Sequence, residues 1–336
     1  MRAISLQPNM NASVRRLVVF APNWLGDAIM SLPAIADVRR SMPERSVAIA
    51  ARPTIAPLFG LVPGIDQVVA IEKQGWDASP ALSSFEAALL LPNSFHVALV
   101  AARAGIPERW GYRTDWRRPL LTRAIDPPAG QHQVDYYQQL TCALGFPSGP
   151  AEPRIVLSPE LSEAGARALT SAGWDGRTPL VAMAPGTAYG TARRWPAPSF
   201  AGLARSLADD GIRSVLVGSQ ADAPIGQEIE ASAGGAPMLN LMGTDLPTLA
   251  ATLSSCRALV SNDSGAMHLG AALGVSVTAV FGPTDERLTG PRGDRHTVLA
   301  HQVWCRPCML RECPYDHECM KGVGVDMVVD AVRRTL

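Results

Sequence analysis

The chain has 336 residues, enough for two domains of ordinary size with a sizeable core in each. Hydrophobic residues make up 47% and charged residues 18%, which excludes global disorder, and a formal net charge of +0 gives a nucleic-acid partner no support. Only Lys73 and Lys321 among the 30 basic residues are lysines; arginine suits bidentate contact with phosphate, although a genome rich in G and C accounts for most of such a bias.

At the N-terminus, MRAISLQPNMNASVRRLVVF holds no signal-peptide core, because Gln7, Pro8, Asn9 and Asn11 interrupt it. No uninterrupted run of about 18 apolar residues follows, so nothing is expected to span a bilayer and a cytoplasmic location is expected. Leu17–Phe20 reads as a buried first strand, and Asn23 to Gly26 as the turn after it. Asp27 opens a helix there, as its cap or as a functional carboxylate, and Pro33 predicts that this helix is kinked or begins late. Ser46–Ala51 and Val68–Ile71 read as further strands, with Arg52 just after the first of them. Phe85–Leu91 and Val97–Ala101 are apolar runs of the same kind. Strands alternating with helical segments predict a parallel, doubly wound sheet.

The next stretch, RWGYRTDWRRPLLTRAID, interleaves Arg109, Arg113, Arg117, Arg118 and Arg123 with Trp110, Tyr112 and Trp116. It lacks a clean period and predicts an exposed loop, either an anion-binding patch or a solvated arginine face. His132 opens an amphipathic helix, and the proline-rich interval Pro147–Pro159 is the candidate linker.

The second half repeats the pattern. Pro179–Pro185 is a strand, a helix runs from about Pro198 to Asp210 before Gly211, Ser214–Gly218 is a strand and Gln220–Ala233 a helix. Asp245 caps a helix that runs to about Cys256. After the first strand, the loop Gly186–Pro196 carries Gly186, Thr187 and Gly190, which permit close backbone approach, with Arg193 and Arg194 as nearby positive charge.

Ala258–Asp285 is the stretch richest in chemistry. An apolar strand ends at Asn262-Asp263-Ser264-Gly265, a helix follows from Ala266 to Gly274, and Val275–Phe281 is another strand. The helix turns its unpaired N–H groups toward the turn, where an anion is favoured. Asp263 can cap the helix, Ser264 can donate a hydroxyl, and Gly265 removes a Cβ; His268 lies one turn on, as a phosphate contact or as an ordinary partly buried histidine. Two such loops at the carboxyl ends of strands in one sheet can close over one ligand. Neither half has the G-x-G-x-x-G fingerprint after its first strand, which disfavours an NAD-dependent oxidoreductase.

Six cysteines comprise Cys142, Cys256 and the tail set Cys305, Cys308, Cys313 and Cys319, with His317 among the last four. Their spacing admits a structural zinc, buried thiols or a disulfide. Gly324–Leu336 predicts a final helix.

Taken together, Asn23–Ile35 (NWLGDAIMSLPAI), Ala184–Pro196 (APGTAYGTARRWP), Asn262–Asp285 and Cys305–Met320 resemble the lipopolysaccharide heptosyltransferases of the heptosyltransferase II type. The resemblance implies an α/β fold of two Rossmann-like, doubly wound domains facing across a cleft, the glycosyltransferase B-type fold. It implies an N-terminal acceptor domain over residues 1–160, a nucleotide-sugar domain over 174–322, and a helix at 323–336 packing back on the N-terminal domain. The donor is ADP-heptose, the acceptor the lipid-anchored inner core of lipopolysaccharide, and transfer onto its first heptose inverts the anomeric carbon.

On the same resemblance Asp27 is the catalytic base, and Thr187, Arg193, Arg194, Asp263, Ser264, Gly265 and His268 are donor-binding. Arg193 stands where family members commonly carry lysine, so either it or Arg194 meets the diphosphate. Asp263, acidic beside an anion, orders the turn or meets the sugar. Asn23, Arg52, Arg113 and Arg117 are expected at the acceptor. No cofactor is expected to be required for catalysis, and the absence of Asp-x-Asp leaves the diphosphate to fixed positive groups. The acceptor brings the enzyme to the cytoplasmic surface of the inner membrane, with Arg109–Arg123 as the candidate contact, either with the membrane or with the acidic sugars and phosphates of the core. The alternative is a nucleotide-sugar-binding protein without transfer, or a glycosyltransferase of another donor or acceptor.

Overall fold

The computed structural model describes residues 14–72 and 79–336. Most of the N-terminal stretch read for a signal peptide, Lys73, and residues 1–13 and 73–78 of the expected N-terminal domain lie outside the described residues. Two compact units make up the chain, Met1–Ala151 and Glu152–Leu336, and the division falls inside the proline-rich interval.

The first unit holds strands β1 (Arg16–Phe20), β2 (Ser46–Ala51), β3 (Gln67–Ala70), β4 (Ala87–Leu90), β5 (Glu108–Tyr112) and β6 (Arg123–Ile125). All its pairings are parallel, in the order β3-β2-β1-β4-β5-β6. RLVVF, SVAIAA and AALL are almost wholly buried, as central parallel strands covered on both faces must be. Pro33 acts as expected: one helix, Leu25–Met30, stops at Ser31, and a second, Leu32–Ser41, starts with the proline in its first turn.

Val97–Ala101, read as a strand, instead lies in the helix Phe95–Arg103, whose cap Ser94 accepts a bond from the Val97 N–H at 3.4 Å. The arginine-rich stretch, read as a loop, contributes the two outer strands β5 and β6 with only their connection irregular. His132 caps the helix Gln133–Ala143 as expected, its Nδ1 accepting from the Val134 N–H at 3.1 Å.

The second unit holds β7 (Leu180–Ala184), β8 (Arg213–Gly218), β9 (Met238–Met242), β10 (Ala258–Asn262), β11 (Ser276–Phe281) and β12 (Thr297–Ala300). Its parallel order is β12-β11-β10-β7-β8-β9, the strand order of the first unit repeated. In each sheet the order reverses between the unit's first and fourth strands, β1 and β4 or β7 and β10. That reversal is the switch point beside which doubly wound sheets bind ligands.

A helix not anticipated from the sequence, Pro159–Ser171, packs on Leu246–Ser254, where Gly165 lies against Ala251. The final helix, Val325–Arg333, was expected to return to the N-terminal domain. Its buried Val328, Val329 and Val332 instead join the core of the second unit with Leu203, Leu207 and Val260, because its apolar stripe matches the helix Ala197–Asp209. Among the described residues no helix is long and apolar enough to cross a membrane.

Candidate active site

In the second unit β7 and β10 run in register, with Ala184 opposite Ser261, so the loops that follow them leave the sheet side by side. Asn262 joins those loops. Its side chain, fully buried, donates from Nδ2 to the Pro185 carbonyl at 2.7 Å and accepts the Trp195 N–H on Oδ1 at 2.9 Å. One amide thereby staples both ends of the loop 186–194. Trp195 is itself wholly buried and donates from Nε1 to the Val323 carbonyl at 2.8 Å.

Asp263 does not cap the helix; that position belongs to Ser264, ahead of the helix Gly265–Ala272. The Asp263 N–H still donates to the Val280 carbonyl at 3.2 Å, which keeps the residue in line with the sheet and turns its carboxylate inward. There Oδ2 accepts the Thr284 hydroxyl at 2.7 Å and pairs with Arg193 Nη1 at 2.9 Å. Burial pushes the Asp263 carboxyl up from its ordinary value of 3.8, against the opposing pull of Arg193 and Thr284. Ser264 makes no capping bond, and its Oγ lies 3.1 Å from the Ser261 hydroxyl.

Arg193, Asp263, Ser264 and Gly265 are therefore brought together at the start of one helix. Thr187 donates its hydroxyl to the Gly190 carbonyl at 2.7 Å, which orders the loop. His268 is buried within its helix. Among the described residues the buried Nε atoms of Arg193 and Arg194 have no hydrogen-bond partner.

Asp27, in the first unit, is the third residue of the helix Leu25–Met30, and Trp24 holds the cap position. The carboxylate is partly exposed and close to Tyr137, whose phenol is pushed well up, first by burial and then by Asp27. Asn23 and Arg52 line a cavity of about 380 Å³ at the carboxyl ends of β1, β2 and β3, with Glu72, Ser94 and His96 completing its polar wall.

Of the two arginines expected at the acceptor in the connection between β5 and β6, Arg113 is exposed and paired with Asp126. Arg117 is fully buried. Its Nε donates to the Tyr112 carbonyl at 2.8 Å and Nη1 to the Pro92 carbonyl, so it ties the end of β5 to the loop after β4 from within the fold. Burial pushes its guanidinium down to about 10.

Cys305, Cys308, Cys313 and Cys319 are free thiols lining one cavity of about 180 Å³ together with His317. Burial raises the Cys319 thiol, and the other three cysteines add to the rise. Among the described residues no group of three or more His, Cys, Asp or Glu side chains is gathered closely enough to hold a metal. Thr284, Glu72, Ser94 and His96 were not singled out from the sequence, and Asn262 was read only as the start of the turn. No local signal marks Asn262, since the groups it bonds lie 67 and 77 residues away.

The model of glycosyltransferase family 9 (heptosyltransferase) matches residues 82–318. Lipopolysaccharide heptosyltransferase 2 of Escherichia coli K12 is 30% identical over 304 residues, covering 84% of this chain and 87% of its own. Lipooligosaccharide heptosyltransferase 2 of Haemophilus influenzae is 29% identical, covering 84% and 88%. The solved structure of E. coli ADP-heptose lipopolysaccharide heptosyltransferase II superposes with a TM-score of 0.84 at 27% identity, over 95% of this chain and 98% of that one.

Proposed function

The chain belongs to glycosyltransferase family 9 and is a heptosyltransferase with the two-unit fold of that family, and on this premise we propose that it moves a heptose from ADP-heptose onto the first heptose of the lipopolysaccharide inner core. The observation that carries the donor half of this reading is the Asn262 staple, which holds two loops at a switch point with Arg193 and a helix N-terminus beside them. A diphosphate bound there meets backbone N–H groups and the guanidiniums of Arg193 and Arg194. The acceptor half rests on the cavity beside Asn23 and Arg52, at the sheet end from which Asp27 also projects.

In the proposed step Asp27 takes the proton of the acceptor hydroxyl as its oxygen attacks the anomeric carbon. The new C–O bond forms on the face opposite the ADP while the old one breaks, so the configuration inverts. ADP leaves with the electron pair, and the arginines and loop amides meet the charge that develops on it.

Mass-detected heptose transfer from ADP-heptose to a mono-heptosylated core tests the proposal. Asp27→Ala should lower kcat by about 10²- to 10⁴-fold, the usual yield of a general base, and leave ADP-heptose affinity within a few-fold. Full activity in that variant removes the base assignment. Tight ADP-heptose binding by the unmodified chain with no turnover on any core favours the non-transferring alternative.

Two subsidiary features belong to the same proposal. The lipid-anchored acceptor requires visits to the cytoplasmic surface of the inner membrane, and Trp116, 93% exposed between the exposed Arg113 and Arg118, suits that contact. Vesicle sedimentation unchanged after reversal of those two charges rejects it. A structural zinc is supported only by the cavity shared by the four thiols. About one zinc per purified chain sustains it and none removes it.

A further inference from the structure

The cysteine-bearing tail reaches the donor loop through Arg311. Its carbonyl accepts the Ala192 N–H at 3.0 Å, and Gly190, at φ 138°, passes so close that a Cβ there would collide with the same oxygen. The side chain runs to the same loop: its guanidinium carbon stands 4.6 Å from the centre of the Tyr189 ring, and that of Arg193 stands 4.4 Å from it. Two cations thus converge on one aromatic ring.

Only one of them has a carboxylate. Arg193 pairs with Asp263, a buried acid whose surroundings resist its ionisation, while among the described residues no carboxylate pairs with Arg311. Stacking on Tyr189 offsets part of the mutual repulsion but uses none of the five N–H donors of Arg311. Arg311 is exposed, so its guanidinium stands at the surface of the loop beside the turn Asp263–Gly265 with its N–H donors open to an incoming anion.

We propose that Arg311 is a second cation of the diphosphate subsite, meeting the nucleotide's phosphates beside Arg193 while its carbonyl holds the loop in place. The proposal rests on the donor site described above, and it gives the tail a share in nucleotide recognition whatever the state of its thiols.

Titration calorimetry of the full chain with ADP, AMP and adenosine tests it. Arg311→Ala preserves the main-chain carbonyl, and Arg311→Met preserves in addition the stem over Tyr189. Both should raise the Kd for ADP by about 10-fold or more, as expected on losing a charge-assisted contact, and leave adenosine binding unchanged. Arg311→Lys should recover part of the loss, and in the transfer assay KM for the donor should rise with kcat within a few-fold. ADP affinity equal to the unmodified chain's in both variants overturns the proposal, as does an equal loss for adenosine, which would mark Arg311 as a brace alone. Absence of ADP binding by the unmodified chain overturns the donor-site reading as well, so the two failures are told apart.

Discussion

Replacing Asn262 by alanine isolates the element on which the donor loops depend. The side chain is fully buried and satisfies two groups that are themselves buried, the Pro185 carbonyl at 2.7 Å and the Trp195 N–H at 2.9 Å. Truncation leaves both without a partner, and each unsatisfied buried group costs about 1–3 kcal/mol, so the second unit should lose roughly 2–6 kcal/mol. For a domain of its size that lowers the melting temperature by roughly 5–20 °C, read as the calorimetric transition of the second unit. ADP affinity should fall at temperatures where the variant is still folded, because the loop carrying Arg193 loses both of its ties to the end of β10 and is left with the Arg193–Asp263 pair alone.

The isosteric Asn262→Asp variant sharpens the test. It keeps an acceptor for the Trp195 N–H but sets a carboxylate oxygen against the Pro185 carbonyl, in a site that disfavours charge. Its carboxyl is protonated more readily folded than unfolded, so its stability should recover as pH falls, when the protonated acid can donate to Pro185. Should Asn262→Ala melt within about 1 °C of the unmodified protein and bind ADP as tightly, the staple does not organise the loops.

Arg117→Met should destabilise the first unit by roughly 2–4 kcal/mol in denaturant unfolding, because the Tyr112 and Pro92 carbonyls lose their donors. Arg113→Ala, which breaks only an exposed ion pair, should stay within about 1 kcal/mol, and a weakened acceptor with unchanged stability in Arg117→Met would contradict the structural role. Asp263 has a folded pKa raised above 3.8, so the folded chain holds a proton that the unfolded chain releases. Its contribution to stability is fully present below 3.8 and is lost as pH rises through the raised value. The stability difference between Asp263→Asn and the unmodified protein should therefore move in the variant's favour as pH rises from below 3.8, and a flat difference across a denaturant-midpoint series would refute it.

What was legible in the sequence follows the range of the interactions concerned. The buried strands β1, β2, β7, β8 and β11 announce themselves as short apolar runs closed by turn residues, and Pro33 breaks its helix through a purely local clash. Val97–Ala101 failed because an apolar run alone does not separate a buried strand from a buried helix. The deciding signals were Ser94 as cap and a length of 9 residues to Arg103. In the arginine-rich stretch the charges sit on outer strands and a connection, and nothing near Arg117 in sequence reveals that the Pro92 carbonyl waits for it 25 residues back. Asp263 was read either as a cap, from its position before a helix, or as a residue that orders the turn or meets the sugar, and only the cap is ruled out by Ser264 holding that position. Its true partners, Arg193 and Thr284, come from two other loops, so only the folded sheet brings them to it.

The two units use one strand order for different ends. At the second sheet's switch point the loops are held from inside, by Asn262 between Pro185 and Trp195, by Thr284 on Asp263, and by the Arg311 carbonyl on Ala192. On the proposed function, donors fixed in this way would lose little freedom on binding a diphosphate and would face the charge that develops as it departs. The first sheet instead offers a cavity of about 380 Å³ walled by Arg52, Glu72 and His96, charges of both signs that suit a sugar bearing hydroxyls and acids. A net charge of +0 for the whole chain is compatible with the proposed donor site, because the guanidiniums of Arg193, Arg194 and Arg311 are local to one sheet end while acids elsewhere balance the total. Strengthening the salt in a titration should for that reason weaken ADP much more than adenosine, whereas equal salt dependence for both would place the nucleotide's grip in stacking and shape rather than in the guanidiniums of Arg193, Arg194 and Arg311.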